Sequence, residues 1–520
     1  MLININAAKC IAIDAVPVTV EVDITRGIGI HLVGLADAAV KESLMRTVTA
    51  LQAMGFHVPG KKIVINLAPA DQHKKGSGYD LPIALGIIAA SGQVEMPLLG
   101  RFLIMGELGL DGSVRAIPGA LPFAELSLRR GLDGCILPEA SALETVELEG
   151  AKVYGVKSLA DVLRILSGAE EADSLLIRHS EAYRAALAAA RLGDGEAGGI
   201  DFADIIGQEG AKRGAEVAVA GGHNLILIGP PGSGKSSLAK ALTGILPPMS
   251  QEESLLTSKI WSIAGKNGSH FGLIHHRPFR SPHYSASMAA IVGGGNGDNI
   301  LPGEVSLANA GVLFIDELAQ MPKSVIEALR APIEDRRVCI SRLRTKIEYP
   351  ANFMLVAATN PCPCGYYGES DRCTCTVGQR AGYLARLSGP ILDRIDIHLW
   401  MHPVAPGKLV NREKGESSAA VAARVLSARS VQAERFRDEG IVTNSEMDSR
   451  QLEHFCPLSN ECKELCEKLI QHQGLSARAF TRIIKVARTI ADLAGERDIM
   501  PQHLAEASGY RLLDRRNLGL

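Results

Sequence analysis

The segment from Gly229 to Ser236 has the residue types and the spacing of a loop that binds nucleotide phosphates. It reads GPPGSGKS, which fits the pattern G-x-x-x-x-G-K-[ST], and it lies between an apolar run and a helix-forming stretch. In such a loop the backbone N–H groups wrap the phosphates, the lysine reaches the β- and γ-phosphates, and the last hydroxyl ligates Mg²⁺. The predicted ATP-binding residues are Gly229, Pro230, Pro231, Gly232, Ser233, Gly234, Lys235 and Ser236.

An acidic pair, Asp316 and Glu317, follows the apolar run GVLFI. Open α/β sheets bind their ligands at the carboxyl ends of the strands, so both side chains are expected to face the nucleotide. We expect Asp316 to hold Mg²⁺ together with Ser236, and Glu317 to polarise the attacking water. A solvated acidic pair at a strand end is the alternative, and the phosphate loop in the same chain makes it the weaker one.

Asn360 follows a third apolar run, FMLVAAT. A side-chain amide at the end of such a strand could orient the same water molecule. The competing interpretation is a turn-forming asparagine, because Pro361 follows directly and asparagine favours turns.

Four cysteines lie within 14 residues and are arranged as C-x-C, eight residues, then C-x-C. They are Cys362, Cys364, Cys373 and Cys375. Four thiols so close in sequence could close a tetrahedral zinc site that clamps the loop after Asn360. The C-x-C spacing is tighter than that of most zinc sites and Pro363 restricts it further, so unliganded thiols and a redox disulfide remain alternatives.

A basic segment follows the phosphate loop, since residues 254–297 contain no Asp or Glu. Its cations are Lys259, Lys266, Arg277 and Arg280, and aromatic residues are interleaved with them. Phosphate attraction combined with stacking aromatics is typical of nucleic-acid contact, so we predict that these four residues bind DNA. The alternative is an element that packs between subunits.

A second basic run, RRVCISRLRTKIEYP, has the pattern of a β-hairpin. The alternation of a strand places Arg342, Arg344 and Lys346 on one face. We predict that Arg342 and Arg344 contact DNA in a central pore, and a solvated hairpin edge is the alternative.

Four regions are expected to position these residues. Residues 1–168 alternate short β-branched runs with helical patterns, which predicts a mixed α+β domain. Residues 169–200 read as a helical linker with a glycine-rich hinge. Residues 201–403 have the pattern of a doubly wound parallel sheet with an insertion at 254–300, and residues 404–520 that of a helical lid.

Composition excludes several other classes of protein. The 520 residues are too many for one hydrophobic core, and 46% hydrophobic with 22% charged residues is ordinary for a globular protein. The net charge of -2 gives no overall attraction to a polyanion. No apolar run approaches the roughly 20 residues of a membrane helix, no signal peptide is recognisable, and the sparse cysteines favour the cytosol.

The sequence resembles one family closely, the Mg-chelatase-like AAA+ proteins called YifB or ComM. The resemblance lies in HHRPFRSPHYSASMAAIVGGG, LPGEVSLANAGVLFIDELAQM, ALRAPIEDRRVCISR, NPCPCGYYG and LSGPILDRIDIHL. It implies an AAA+ P-loop core with a helical lid, a homohexameric ring, and ATP-driven branch migration of DNA during natural transformation. It also implies Arg394 as an arginine finger acting on a neighbouring subunit and Arg478 as the sensor-2 residue.

The N-terminal region resembles the proteolytic domain of Lon proteases, which has a ribosomal S5 domain 2-like fold. That family carries a serine nucleophile and a lysine base, and these positions fall on Gly78 and Pro122 in this sequence. Neither residue can act as a nucleophile or a base. We therefore expect a scaffold without peptidase activity.

Two functions of different kinds remain after this reasoning. The first is a hexameric DNA motor, which the acid-free basic segment favours. The second is a chelatase-type ATPase that remodels protein partners. An ATP-dependent protease is a third possibility that Gly78 and Pro122 make untenable.

Overall fold

The computed structural model contains an N-terminal α+β domain, a central parallel sheet with helices on both faces, and a C-terminal helical region. The residues it describes are 2–35, 37–71, 73–74, 76–193, 199–267, 271–295, 300–341, 346–368, 372–387, 389–411, 414–511 and 513. Within these ranges, no helix is both long enough and apolar enough to cross a membrane.

The N-terminal domain is built on a seven-stranded mixed sheet with the strand order β3-β4-β2-β1-β5-β8-β9. Its strands, with the ribbon β6–β7, are Ile3–Ile11 (β1), Asp14–Thr25 (β2), Gly29–Val33 (β3), Lys62–Ala68 (β4), Phe102–Ile104 (β5), Glu107–Leu108 (β6), Val114–Arg115 (β7), Gly134–Pro138 (β8) and Val153–Val156 (β9). Its helices are Ala38–Ala53 (α1), Asp80–Ser91 (α2), Ala120–Arg129 (α3), Glu139–Ala142 (α4) and Leu159–Leu166 (α5). Strand β4 alternates buried and half-buried residues because only one face of the sheet is covered.

The connection to the central domain is more closely tied to the N-terminal domain than the predicted linker implies. The 3₁₀ turns at Glu170–Leu175 and Ile177–His179 precede the helix Glu181–Gly193 (α6). The side chain of Ile177 is buried in the N-terminal core, and Tyr183 of α6 packs on the ring of Phe271 with centroids 5.4 Å apart. The predicted glycine-rich hinge falls mainly on residues 194–198, outside the described ranges.

The central domain contains the predicted parallel sheet, with the strand order β11-β14-β17-β10-β18 and every neighbouring pair parallel. Its strands are Leu225–Ile228 (β10), Phe279–Arg280 (β11), Val312–Ile315 (β14), Met354–Thr359 (β17) and Ile397–Trp400 (β18). The three continuous apolar runs form β10, β14 and β17. All their residues are buried, since helices cover both faces of the sheet.

Helices and two small hairpins complete the central domain. The hairpin strands are Gly293–Gly294 (β12) with Leu301–Pro302 (β13), and Arg337–Ser341 (β15) with Lys346–Pro350 (β16). The helices are Glu209–Gly221 (α7), Lys235–Ala241 (α8), Gln251–Ile263 (α9), Met288–Val292 (α10), Glu304–Leu307 (α11), Lys323–Ala328 (α12), Arg330–Asp335 (α13), Val377–Leu384 (α14) and Gly389–Leu392 (α15).

The predicted insertion at 254–300 is not one separate element. Helix α9 starts earlier, at a capping box in which Ser250 and Glu253 satisfy each other's backbone N–H groups. Strand β11 belongs to the central sheet, where Phe279 stacks on Phe314 with ring centroids 5.9 Å apart. A two-residue edge strand has no detectable periodicity, which is why its place in the sheet was not predicted from sequence.

The C-terminal region is helical, as predicted, and it shares a hydrophobic core with one face of the central sheet. Its helices are Pro406–Asn411 (α16), Ser418–Arg435 (α17), Ser449–Phe455 (α18), Asn460–Gln473 (α19), Ala477–Ala494 (α20) and Pro501–Gly509 (α21). Val425 of α17 and Ile483 of α20 are buried in the same cluster as Leu227 of β10. Helix α20 begins at Ser476, whose side chain caps the backbone N–H of Ala479.

Helix α9 and the loop that follows it dock on the N-terminal domain. The backbone N–H of Gly119 donates to the carbonyl of Ser262 over 3.1 Å, and Asn267 donates to the carboxylate of Glu144 over 2.9 Å. Phe271 packs against the N-terminal core. The segment after the phosphate loop therefore joins the two domains within one chain.

Candidate nucleotide-binding and catalytic site

The predicted phosphate loop connects strand β10 to helix α8 in the manner that phosphate binding requires. Gly232 and Gly234 have φ values of 80° and 91°, a region of backbone conformation that favours glycine. Gly234 is the N-cap residue of α8, so the chain enters the helix directly from the loop. Gly229 packs so closely on Met401 that an added Cβ would lie 2.5 Å from its carbonyl oxygen.

Lys235 is the best-connected side chain of the loop. Its Nζ donates to the carbonyl oxygens of Gly229 over 2.7 Å and Pro230 over 2.9 Å, and to Oδ1 of Asn360 over 3.3 Å. Burial lowers the pKa of Lys235, while the charges of Asp316 and Glu317 oppose this shift. The ammonium group is thus held inside the loop, where it is positioned to meet phosphate oxygens.

The acidic pair reaches the loop from the carboxyl end of β14. The hydroxyl of Ser236 donates to Oδ2 of Asp316 over 3.0 Å, and the backbone N–H of Glu317 donates to Oδ1 of the same carboxylate over 2.9 Å. A hydroxyl and a carboxylate in contact provide hard oxygen ligands of the kind that Mg²⁺ prefers. The donor set therefore fits the magnesium ion that was predicted from sequence.

Glu317 itself has a left-handed backbone conformation, with φ 53° and ψ 42°. The half-buried Glu317 lies close enough to Tyr383 of α14 to help raise the pKa of the tyrosine, although burial is the main cause of that shift. The turn brings the carboxylate to the edge of the sheet where Lys235 and Asp316 lie.

Asn360 is brought to the same place from the end of β17. Its contact with Nζ of Lys235 puts the amide between the phosphate loop and the strand end. The turn that follows is also present, because residues 361–362 form a bend. The two interpretations of this asparagine are therefore compatible: it precedes a turn and its side chain points into the site.

Gln208 is a site residue that sequence reasoning did not identify. It is a non-glycine residue with φ 63°, and its side-chain amide donates to the carbonyls of Ser233 over 3.1 Å and His402 over 2.5 Å. It thereby fastens the phosphate loop to the chain that follows β18. The only sequence signal was a glutamine flanked by glycine in a polar turn before α7, which is too common to be diagnostic.

Of the two predicted arginines, Arg394 lies between α15 and β18, and Arg478 lies in α20. Arg394 forms an ion pair with Glu334 and donates to the carbonyl of Pro390 over 2.8 Å, and its side chain is 11% exposed. Arg478 is exposed in the first turn of α20. Their roles in trans and as a sensor stay predictions.

The four clustered cysteines come together in space and form no disulfide with one another. The sulfur of Cys362 lies 3.3 Å from that of Cys364 and 3.8 Å from that of Cys373, and all four sulfurs lie within 4.8 Å of one another. Burial raises the pKa of Cys362, whereas the backbone N–H of Tyr366 lowers that of Cys364. This group is suited to holding a metal ion.

The cations of the predicted DNA-binding segment are paired with carboxylates of the same chain, and their contact with DNA stays a prediction. The ammonium of Lys259 lies 3.0 Å from Asp14 and 2.6 Å from Glu125, and its side chain is only 9% exposed. Arg277 forms two 3.0 Å hydrogen bonds with Glu253, also donates to three backbone carbonyls, and is 15% exposed.

The other two cations of this segment share a single carboxylate. Arg280 donates to Glu304 over 2.6 and 2.8 Å, and Lys266 lies 3.4 Å from the same group. Four acids outside residues 254–297 thus neutralise four cations inside it. The absence of acids from residues 254–297 did not reveal this pairing, because the partners lie elsewhere in the chain. The contact of Lys259 with Asp14, for example, spans 245 positions in sequence.

The second predicted basic element is a hairpin, as expected. Arg337 of β15 and Lys346 of β16 project from one face with side chains 64% and 69% exposed, and both lie near Glu348 at 3.7 and 3.8 Å. Two cations share one carboxylate here, so this face keeps a positive charge. The predicted contacts Arg342 and Arg344 lie outside the described residues.

The Lon-like positions of the N-terminal domain hold no dyad. Gly78 lies in the 3₁₀ turn before α2, where an added Cβ would lie 3.1 Å from the side chain of Met105. Pro122 is buried within α3. The adjacent Ser77 is hydrogen-bonded to Glu107, and Lys74 is hydrogen-bonded to the carbonyl of Pro69.

Sequence models of three related families match successive parts of the chain. "Magnesium chelatase, subunit ChlI" matches residues 201–409, "Subunit ChlI of Mg-chelatase" matches 20–141, and "Magnesium chelatase, subunit ChlI C-terminal" matches 415–511. With the phosphate loop, the acidic pair and the parallel sheet, these matches define an ATPase of the Mg-chelatase-like AAA+ class.

Individual relatives show which family within this class the chain belongs to. The chain is 42% identical to "Uncharacterized protein YifB" of Escherichia coli K12 over 523 residues, covering 98% of the chain and 97% of the relative. It is 42% identical to "Competence protein ComM" of Haemophilus influenzae over 502 residues, covering 96% and 95%. The chain therefore belongs to the YifB/ComM family of Mg-chelatase-like proteins. It is also 29% identical to "Archaeal Lon protease" of Methanocaldococcus jannaschii over 150 residues, 29% of the chain and 23% of the relative.

Proposed function

We propose that the chain is an ATP-driven DNA motor, which works as a homohexamer and promotes branch migration of recombination intermediates during natural transformation. The observation that carries the proposal is an assembled hydrolytic site in a chain 42% identical to a competence protein over nearly its full length. The exposed cations of the β15–β16 hairpin add a surface suited to nucleic-acid phosphates.

The hydrolytic roles follow from the contacts around the phosphate loop. Lys235 binds the β- and γ-phosphates, and Glu317 accepts the proton of the attacking water. Asn360 orients that water from its position beside Lys235. Ser236 and Asp316 would hold Mg²⁺, which would supply positive charge to neutralise the phosphates.

Two arginines complete the proposed ATPase cycle. Arg394 reaches the γ-phosphate bound by a neighbouring subunit after exchanging its pairing with Glu334, and Arg478 senses the nucleotide bound in its own chain. The first of these roles requires a ring, since an arginine acting in trans has no target in a monomer.

Zn²⁺ is the metal ion that we propose for the cysteine cluster, with Cys362, Cys364, Cys373 and Cys375 as its ligands. Four thiolates are the donor set of closed structural zinc sites, which have no coordination position left for catalysis. The ion therefore has a structural role. Elemental analysis of purified protein should find one zinc per chain, and a fourfold Cys→Ser variant should contain none.

Branch migration of synthetic four-way DNA junctions tests the proposed function. Wild type is expected to move the junction only when ATP and Mg²⁺ are present. Glu317→Gln should still bind ATP but hydrolyse it about 10²- to 10⁴-fold more slowly, and it should leave the junction in place. ATP hydrolysis without DNA binding or junction movement would contradict the proposal.

The DNA contact is tested by the dependence of affinity on salt. Removing both exposed cations, Arg337→Ala with Lys346→Ala, should reduce the slope of log K against log salt by about 0.9 for each lost phosphate contact. Lys463→Ala with Lys468→Ala, which removes two exposed cations from α19, is the matched control and should leave the slope unchanged. Equal slopes in all three proteins would exclude the hairpin as the contact.

One observation favours the second candidate, a chelatase-type ATPase that remodels protein partners. The internal pairing of Lys259, Lys266, Arg277 and Arg280 removes the charge argument that separated the two functions. If the junction assay and the salt series both fail while ATP hydrolysis remains, this candidate replaces the DNA motor.

A further inference from the structure

The cysteine cluster is physically continuous with the nucleotide site. It begins two residues after Asn360, whose side chain accepts a hydrogen bond from Lys235. It ends at Cys375, directly before helix α14, and α14 carries Tyr383 close to Glu317. The cysteines therefore lie between the end of β17, where Asn360 contacts Lys235, and α14, where Tyr383 is near the charge of Glu317.

One residue of the cysteine loop lies directly against the phosphate loop. An added Cβ on Gly365 would lie 3.0 Å from Cδ and 3.1 Å from Cγ of Pro231, and 3.9 Å from Cγ of Asn360. Gly365 has φ 86°, and its backbone N–H donates to the carbonyl of Cys362 over 3.0 Å. The turn formed by the first cysteine pair thus packs against the outer side of the phosphate loop.

The geometry of the sulfurs fits a single ion. A tetrahedral site with Zn–S bonds of about 2.3 Å has sulfur–sulfur separations of about 3.8 Å. The separations among Cys362, Cys364 and Cys373 are 3.3, 3.8 and 3.7 Å. In addition, the backbone N–H groups of Tyr366 and Tyr367 donate to the sulfurs of Cys364 and Cys362.

We propose that the metal held by these cysteines clamps the phosphate loop, so that metal and nucleotide each slow the dissociation of the other. The proposal rests on the nucleotide site and on the zinc ion of the proposed function, but it requires neither DNA nor a ring. The path of the coupling is the contact of Gly365 with Pro231 and that of Asn360 with Lys235.

Conformational entropy explains why the ion would have this effect. A metal ion bound by both cysteine pairs would tie together two parts of the chain between β17 and α14, and ordering each backbone residue costs about 1–2 kcal/mol. An ion that orders this chain in advance removes part of that cost from nucleotide binding. Because such coupling is reciprocal in binding free energy, bound nucleotide must raise the equilibrium affinity for the ion by the same factor.

The first experiment measures nucleotide affinity with and without the metal. Zinc is removed from the full-length protein with the zinc-selective chelator TPEN, and binding of mant-ADP is followed by fluorescence. Stripped protein is expected to bind mant-ADP about 5- to 150-fold more weakly, with an unchanged far-ultraviolet circular dichroism spectrum, and to recover when zinc is returned. Unchanged affinity in stripped protein, or no zinc to remove, would overturn the proposal.

The second experiment measures the reverse effect without using activity. The rate at which zinc passes from the protein to the indicator 4-(2-pyridylazo)resorcinol is measured with and without ADP. ADP is expected to slow the transfer in wild type and to have no effect in Lys235→Ala, which lacks the phosphate contact. Transfer at the same rate with and without ADP in wild type, under saturating ADP, would overturn the coupling.

A glycine pair tests the path. Gly365→Ala adds a Cβ against Pro231, whereas Gly368→Ala adds one at φ 94° in the same loop, where the nearest atom is Cζ2 of Trp400 at 3.7 Å. Gly365→Ala should weaken mant-ADP binding and remove the effect of ADP on zinc transfer, while Gly368→Ala should do neither. Equal effects of the two substitutions would exclude the Gly365 contact as the path.

Discussion

Glu317 shows how one residue can combine strain with chemistry. Its left-handed backbone, φ 53° and ψ 42°, is uncommon for a residue with a long side chain and costs on the order of 1–3 kcal/mol. The conformation turns the chain sharply at the end of β14, directly after Asp316 has reached Ser236. Glu317, the strained residue, is also the residue that we propose as the catalytic base.

Replacing Glu317 by glycine should therefore stabilise the fold while removing catalysis. Glycine adopts this conformation without steric cost, so we expect Glu317→Gly to raise the free energy of unfolding by up to about 1 kcal/mol. Denaturant midpoints measure the gain, and ATP turnover measures the loss. Glu317→Gln keeps the strain and is the control, so an equal gain in that variant would show that the backbone is not the source.

At the scale of elements, helix α20 is attached to the central sheet through a buried carboxylate. Arg482 forms an ion pair with Asp396, which is buried just before β18 and also accepts a hydrogen bond from the backbone N–H of Asn224 over 3.1 Å. Burial is the largest single effect on the pKa of Asp396 and raises it, but Arg482 and His223 together hold that pKa well below its usual range. One turn earlier, the same helix carries the exposed Arg478.

These two arginines should separate stability from activity. Arg482→Ala leaves Asp396 buried without its charged partner, which should lower the free energy of unfolding by about 3–5 kcal/mol. Arg478→Ala removes an exposed side chain and should change stability by no more than about 0.5 kcal/mol, while it lowers ATP turnover. Thermal melts and turnover assays on both variants give the comparison, and a large stability loss in Arg478→Ala would contradict this division.

Strand β18 should make the stability dependent on pH through His398. This side chain is fully buried, and burial holds its pKa well below the usual value near 6.5. Below about pH 6.5 the unfolded chain binds a proton that the folded chain does not, so this contribution is present above that pH and is lost as the pH falls. Its slope is at most about 1.4 kcal/mol per pH unit.

Melting temperatures between pH 5 and pH 7 measure that slope. His398→Gln should show a smaller decrease than wild type as the pH is lowered. Part of the decrease should remain, because burial lowers the pKa of His223 as well. A curve for the variant that is parallel to that of wild type would show that His398 does not supply the proton difference.

What could be predicted from sequence depended on the range of the interaction. Strands β10, β14 and β17 were predictable because a strand buried on both faces must be continuously apolar. The phosphate loop was predictable because its function fixes residue types at close spacing. The partners of Lys259 were not, since Asp14 and Glu125 lie far away in the chain and no local pattern marks them.

At the scale of the whole molecule, the N-terminal and central domains share a charged and apolar interface. Lys259 of α9 reaches Asp14 and Glu125, and Phe271 packs against the N-terminal core. His275 adds a 2.6 Å contact with Glu147. Helix α9 and the loop after it therefore attach the N-terminal domain to the central domain.

Loss of the central contact of this interface should loosen the domains without changing DNA affinity. In Lys259→Ala, backbone amides of α3 and α9 should exchange hydrogen for deuterium faster, because two carboxylates lose their partner. Lys266→Ala removes a cation that is paired within the central domain and is the matched control. A change in the salt dependence of DNA binding in Lys259→Ala would instead support the prediction from sequence that Lys259 contacts DNA directly.

The docking of α9 also decides where the chain tolerates being cut. A chain truncated to begin near residue 200 would keep the phosphate loop, the acidic pair and every strand of the central sheet. It would also remove both carboxylates that pair with Lys259 and expose the ring of Phe271 to solvent. The sequence therefore suggests that the chain can be divided at the predicted glycine-rich hinge. The folded protein cannot be divided there without losing the contacts of Lys259 and Phe271 with the N-terminal domain.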